Sequence, residues 1–239
     1  MNLWNSLPVV TKNIIIICVL MFLGSNVIKA LEPHLVAHYF RSEYFKPWQI
    51  VTHMFMHGSL SHLFFNMFGL FMFGKAVEYY WGAKKFLNYY LVCGLGAVCL
   101  HQAWTWYEIQ QLATQVSPSN LALLYDLGSN ANFETTKVEF DHLQHIFNLM
   151  SSGMLGASGC LFGVLVAFGM MFPNAEMFMM FIPIPIKAKY MVAMYGVFEL
   201  LAGFSNRSGD NVAHFAHLGG LLTGLIILLV WKKQGKLFS

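Results

Sequence analysis

Residues 211–224 read NVAHFAHLGGLLTG. His217 is followed by Gly220 at +3 and Gly224 at +7, so all three share one face of a helix. A neutral imidazole beside a stripe of glycines can approach a facing helix closely, because nothing larger than hydrogen stands between the backbones. His214 lies one turn nearer the start of the same run and is the rival for any chemistry placed there. The stretch opens an apolar run that continues to about residue 231, long enough to cross a bilayer, for which about 20 mostly apolar residues are needed.

The rest of the chain has the same character. Of its 239 residues 57% are hydrophobic, 16% aromatic and only 10% charged. A soluble domain carries about 25% charged residues, so this chain lacks the polar surface to cover a water-soluble globule. Its net charge of +3 is too weak and too scattered for nucleic-acid binding. Cys18, Cys93, Cys99 and Cys160 fall in apolar stretches with no C-x-x-C, which argues against a zinc site or a disulfide framework. The pattern predicts an all-α membrane protein, one domain over 1–239, with six spans at about 12–31, 60–79, 86–106, 153–172, 188–204 and 211–231. The first has no cleavage pattern and reads as a retained helix.

With the N-terminus inside, the inner segments hold Lys12, Lys75, Lys84, Lys85, Lys187, Lys189, Lys232, Lys233 and Lys236. The outer ones hold Lys29, Arg41, Lys46, Lys137 and Arg207. That excess points to both termini in the cytoplasm and, for a bacterial source, to the inner (cell) membrane. Two outer connections are large. The one at about 32–59 is too apolar for a free loop and is expected to pack on the bundle or lie in the interface. The one at about 107–152 is acidic, and its VEFDHLQHIFNLM stretch is expected to form a short amphipathic helix. Residues 173–185, PNAEMFMMFIPIP, break the hydrophobic run and mark a turn.

Polar groups in hydrocarbon are costly and each needs a reason. In MLGASGCLFG, residues 154–163, Ser158 stands between Gly156 and Gly159. A helix N-terminus there presents unpaired N–H groups and a dipole that favours developing negative charge. The bland alternative is a packing patch of small residues. Residue counting puts Ser158 about five residues into its span and His217 about six, so both lie about 8–9 Å below the outer end. That depth favours His217 over His214 as a base. In HGSLSHLFFN, residues 57–66, His62 and Asn66 share a face and can both donate hydrogen bonds while neutral. This suits an oxyanion hole, against the alternative of an ordinary helix–helix polar contact. His53 and His57 are also four apart, but no nearby acid completes a metal-ligand set, so no metal is expected. Glu199, in VFELLAG, is near enough to the outer end to reach interfacial water, and the residues alone assign it no role. Glu78 is expected to make structural hydrogen bonds.

A nucleophile, a base and a donor pair on three spans at similar depth are the parts of acyl transfer. On H62-x-x-x-N66, G156-A-S158-G159 and A216-H217-x-G-G220-x-x-x-G224, with T52-H53-M-F-M-H57 and G74-x-x-x-E78, the chain resembles the rhomboid family of intramembrane serine proteases. The likeness runs from about residue 10 to 232. It implies a six-helix bundle with a Ser158–His217 dyad and no acidic third member. It also implies an oxyanion hole from the Ser158 N–H, His62 and Asn66, with Phe162 stacked on His217, and His53, His57 and Glu78 as structural positions. Many members carry Trp-Arg in the first outer loop, where this chain has Trp48-Gln49. The implied substrates are single-pass transmembrane proteins in the lipid bilayer, with no cofactor. A catalytically inactive client-binding protein and, more distantly, a metal-ion transporter are the competing readings.

Overall fold

The computed structural model describes residues 6–179, 182–205 and 213–237. Its first helix, α1 (Val9–Val27), presents most of its apolar side chains outward and buries only a narrow stripe, among them Ile14 and Cys18. It has no side-chain cap of its own. The cap comes from a distant helix: the carboxylate of Glu78 accepts from the backbone N–H of Val10 at 2.8 Å and of Thr11 at 2.7 Å. A buried carboxylate on orphan N–H groups at a helix N-terminus is a charge-assisted bond helped by the helix dipole. Glu78 is thereby a structural residue, with both oxygens engaged.

The run from residue 60 to 113 contains α4 (Leu60–Gly69), a π-helical turn (Leu70–Gly74) and α5 (Lys75–Ala113). At Gly82 φ is 75° and ψ 165°, a conformation that residues with a Cβ avoid. The chain reverses there. A Cβ on Gly74 would lie 3.3 Å from the ring of Phe86, whereas twelve residues of straight helix span about 18 Å. The expected spans at 60–79 and 86–106 are therefore the two limbs of this run. By length and composition, Val9–Val27, Leu60–Ala113 and α10 (His214–Lys233) suffice to cross a membrane among the described residues.

The helix α8 (Ser158–Met171) is apolar and buried on nearly every side, as befits the central helix of a bundle. It begins later than the expected 153, because Gly156, at φ 127°, cannot continue a helix. Both α5 and α10 pack on it, and α9 (Ala188–Ser205) packs on α8 and α10. The crossings are made by small residues. A Cβ on Gly220 would overlap the Gly159 carbonyl, one on Gly224 would lie 3.0 Å from the Gly163 Cα, and one on Gly219 would lie 2.5 Å from the Gly96 carbonyl oxygen. The first two contacts set the register of α8 against α10, and the third that of α5 against α10.

The connection at 173–185 differs from a simple turn. Glu176–Met179 (β1) and Ile182–Lys187 (β2) form an antiparallel hairpin with Glu176 opposite Lys187 and Phe178 opposite Pro185. The two-strand ladder tolerates proline because a strand with a free edge need not donate from every residue. Arg207 and the start of the expected sixth span, 211–212, lie outside the described residues.

Both long connections, 32–59 and 107–152, are folded. In the first, α2 (Glu32–Leu35) and α3 (Gln49–Thr52) are joined through Gln49. Its buried amide oxygen accepts from the N–H groups of His38 (3.3 Å) and Lys46 (3.1 Å), and its nitrogen donates to the carbonyls of Pro33 (3.3 Å) and Tyr44 (3.0 Å). Trp48 Nε1 donates to the His34 carbonyl at 2.8 Å. The neutral amide of Gln49 thus ties this loop together. In the second, α6 (Pro118–Leu127) and α7 (Lys137–Ser151) enclose a small core of Ile109, Val116, Leu124, Leu143 and Ile146, closed by Tyr39 of the first connection. The expected amphipathic helix lies within α7. Glu139 accepts from the Ser117 N–H (2.7 Å) and the Asn120 amide (3.1 Å) and bonds Thr135. These bonds hold its carboxyl down to about 2.

Candidate active site

The approach to α8 is pinned by main-chain bonds. Ala37 and Met154 exchange N–H···O bonds of 2.8 and 2.9 Å, and the Gly156 N–H donates to the His53 carbonyl at 2.9 Å. The left-handed φ of Gly156 then turns the chain so that Ser158 becomes the first residue of α8. The first intrahelical bond there runs from the Leu161 N–H to the Ala157 carbonyl. The N–H groups of Ser158, Gly159 and Cys160 accordingly have no acceptor within the helix, and they stand at the positive end of its dipole.

His217 is the fourth residue of α10, one turn before Gly220. The glycine crossing brings its Nε2 to 2.8 Å from Ser158 Oγ. Phe162, one turn into α8, stacks on the imidazole with centroids 4.4 Å apart and planes 11° apart. The 2.8 Å contact puts the two side chains at the same level, as expected, but not by the counting used: Ser158 is the first residue of α8 rather than five residues into a helix.

On α4, the Ser59 hydroxyl caps the helix by accepting from the His62 N–H at 3.1 Å. The His62 ring lies against Gly156, where a Cβ would stand 2.8 Å from His62 Nε2 and 3.5 Å from Ser158 Oγ. A side chain at 156 would therefore fill the space between the histidine and the serine. Asn66 is buried one turn further on and donates from Nδ2 to the His62 carbonyl at 2.9 Å. One N–H of its amide is used in this way. Among the described residues Asn66 makes no bond to Ser158 or His217. His57 meets His62 edge-on at 5.1 Å. His53 is buried and its Nδ1 bonds the Gln49 carbonyl at 2.8 Å. Burial pushes both outer-loop histidines down to about 4, with the nearby His62 adding to the effect on His57. They are neutral at physiological pH.

One residue was left without a role by the sequence. Glu199 is turned inward and buried, and its Oε2 lies 2.6 Å from His214 Nδ1 and 3.0 Å from His217 Nδ1. An acidic group therefore does adjoin the Ser158–His217 pair. A signal was available: His214 and His217, three apart, present one face, and the neighbouring span carries a lone acid that needs a partner. These three residues are also, among those described, a set that could hold a metal ion, with ligand atoms within 4.8 Å of one another.

A model of the rhomboid domain matches residues 44–234. An uncharacterized mitochondrial rhomboid protein of Schizosaccharomyces pombe is 25% identical over 209 residues, covering 78% of this chain and 52% of that protein. The rhomboid protease AarA of Providencia stuartii is 24% identical over 192 residues, 77% of this chain and 56% of that protein. The mitochondrial rhomboid protein 1 of Saccharomyces cerevisiae is 28% identical over 177 residues, 74% of this chain and 40% of that protein. The chain thus spans about half the length of these relatives. The matched region runs from before α3 through α10 and takes in α4, the approach to α8 and α8 itself, α9 and α10, which carry every residue of the site just described; the chain belongs to the rhomboid family of integral membrane proteins.

Proposed function

We propose that the chain is an intramembrane serine endopeptidase that crosses the bilayer six times and cuts transmembrane segments near the outer face. The observation that carries this reading is the 2.8 Å approach of Ser158 Oγ to His217 Nε2 at the start of α8. The crossings are α1, the two limbs on either side of Gly82, α8, α9 and α10. Both termini are cytoplasmic, as the lysine distribution favours. The 14 residues of α8 make about 21 Å of helix, short of the ~30 Å hydrocarbon layer. A helix that starts late puts its first residue below the surface, within reach of water through the extended segment before it.

His217 takes the Ser158 proton as Ser158 Oγ attacks the scissile carbonyl. The developing oxyanion is held by the Ser158 N–H at the helix start and by His62 across Gly156, with Asn66 supporting His62 from one turn away. His217 then returns the proton to the leaving amine, and a water activated by the same imidazole hydrolyses the acyl-enzyme. A peptide must be extended to be attacked, since a helical amide is shielded by its own turn, so helix-breaking residues near the cut favour cleavage. No step calls on a cofactor.

The test is reconstitution in liposomes with a labelled single-span substrate, with products mapped by mass spectrometry. Ser158→Ala and His217→Ala are expected to lower kcat by more than about 10⁴-fold, and His214→Ala to cost far less, since it removes only a partner of Glu199. A fluorophosphonate is expected to label wild type and not Ser158→Ala. Equal cleavage by wild type and Ser158→Ala refutes the proposal. Client binding without labelling or cleavage would establish the inactive client-binding alternative.

A further inference from the structure

We propose that Glu199 is a positioning residue for His217, so that the protease proposed above works through a three-member Ser158–His217–Glu199 relay. The inference rests on that reading of the site.

Most of α9 faces outward: Tyr190, Met194, Val197, Phe198, Leu201 and Phe204 are exposed, and its buried residues are Ala188, Met191 and Glu199. A carboxylate turned away from solvent in an apolar bundle is costly unless it is paired. Glu199 is 6% exposed and meets two imidazoles through the same oxygen. A carboxylate is an acceptor only. It therefore favours the tautomer of His217 that carries the proton on Nδ1, which leaves Nε2 to accept from Ser158. His217 Nδ1 is buried and has no aligned hydrogen bond among the described residues, and the Glu199 oxygen at 3.0 Å lies off its N–H direction. Such contacts in a resting site tighten when substrate is bound. Once His217 holds the serine proton, the carboxylate faces an imidazolium. His214, at 2.6 Å, fixes the carboxylate from the other side.

A metal-ion reading of the same three residues fits the distances less well. Tetrahedral zinc with bonds of 2.0–2.1 Å keeps its ligand atoms about 3.3 Å apart. The Glu199 oxygen is closer than that to both nitrogens, as expected for ligands sharing protons rather than a cation.

The experiment compares wild type with Glu199→Gln, Glu199→Ala and Glu199→Asp in liposomes, reading kcat, KM, melting temperature and the rate of fluorophosphonate labelling. Glu199→Gln is expected to lower kcat and the labelling rate about 10²–10⁴-fold, with KM within about two-fold and little change in melting. Glu199→Asp is expected to regain at least about ten-fold in kcat over Glu199→Ala, because the charge returns. In a Ser158→Ala background Glu199→Gln is expected to have no further effect. Wild-type kcat in Glu199→Gln would overturn the inference, as would equal losses in Glu199→Asp and Glu199→Ala. Should Glu199→Gln melt below the assay temperature, the Asp-against-Ala comparison decides. If wild type itself neither cleaves nor labels, the protease reading has failed. If wild type cleaves through Ser158 and Glu199→Gln matches it, only the role of Glu199 has failed.

Discussion

At the scale of single residues, the site depends on how each ring is held. Phe162 is stacked on His217, and such pairs contribute about 0.5–1.5 kcal/mol beyond area burial. Phe162→Ala is expected to lower kcat roughly three- to ten-fold with melting little changed, and Phe162→Tyr to retain most of the rate, both read in the liposome assay. Glu78 makes a different kind of contribution. Glu78→Ala leaves two N–H groups of α1 without their acceptor and is expected to destabilise the fold by about 2–4 kcal/mol, read by thermal unfolding in detergent. The serine, both histidines of α10 and the His62–Asn66 pair are legible in the sequence because each is a polar exception in an apolar run. Glu199 is equally exceptional, and the shared face of His214 and His217 is the one signal for its partners, but nothing within α9 says that this residue turns toward α10 rather than to interfacial water.

At the scale of elements, the glycine crossing sets the distance between Ser158 and His217. A Cβ on Gly220 meets main chain, which cannot swing aside as a side chain does. Gly220→Ala is expected to part α8 and α10, to destabilise by about 1–3 kcal/mol and to cut kcat about 10²-fold, since a displacement of about 1 Å near the reacting atoms has that effect. Gly24 has open space around its Cβ position, so Gly24→Ala serves as the control, with kcat unchanged. The helices α1, α8, α9 and α10 are legible because each is an apolar run. The reversal at Gly82 falls in the lysine-bearing break between the expected spans at 60–79 and 86–106, but the late start of α8 is not legible, since hydropathy is continuous across residues 153–158 while backbone dihedrals are not. The 173–185 hairpin escapes notice for a related reason: proline signals a break, and the pairing across it is a tertiary choice.

At the scale of the whole molecule, the outer connections behave as part of the bundle. His53 and His57 are held neutral down to about pH 4, whereas in an unfolded chain each takes up a proton near pH 6.5. Stability present above 6.5 is therefore lost as pH falls from 6.5 toward 4. Each histidine accounts for up to about 3 kcal/mol of that loss. Melting temperature measured against pH is expected to fall over this interval, and His57→Phe to flatten the fall. The acidic connection, expected from sequence to hold one short amphipathic helix, also closes a core of its own against Tyr39, which only the long-range contact reveals. The brevity of α8 has a last consequence. On the proposed reading, Ser158 is placed by where α8 begins, so its distance from water depends on the thickness of the surrounding bilayer, and acyl-chain length becomes a dial on turnover. In vesicles of short-chain phosphatidylcholine deacylation should quicken, and in long-chain vesicles it should slow, with the protein itself unaltered.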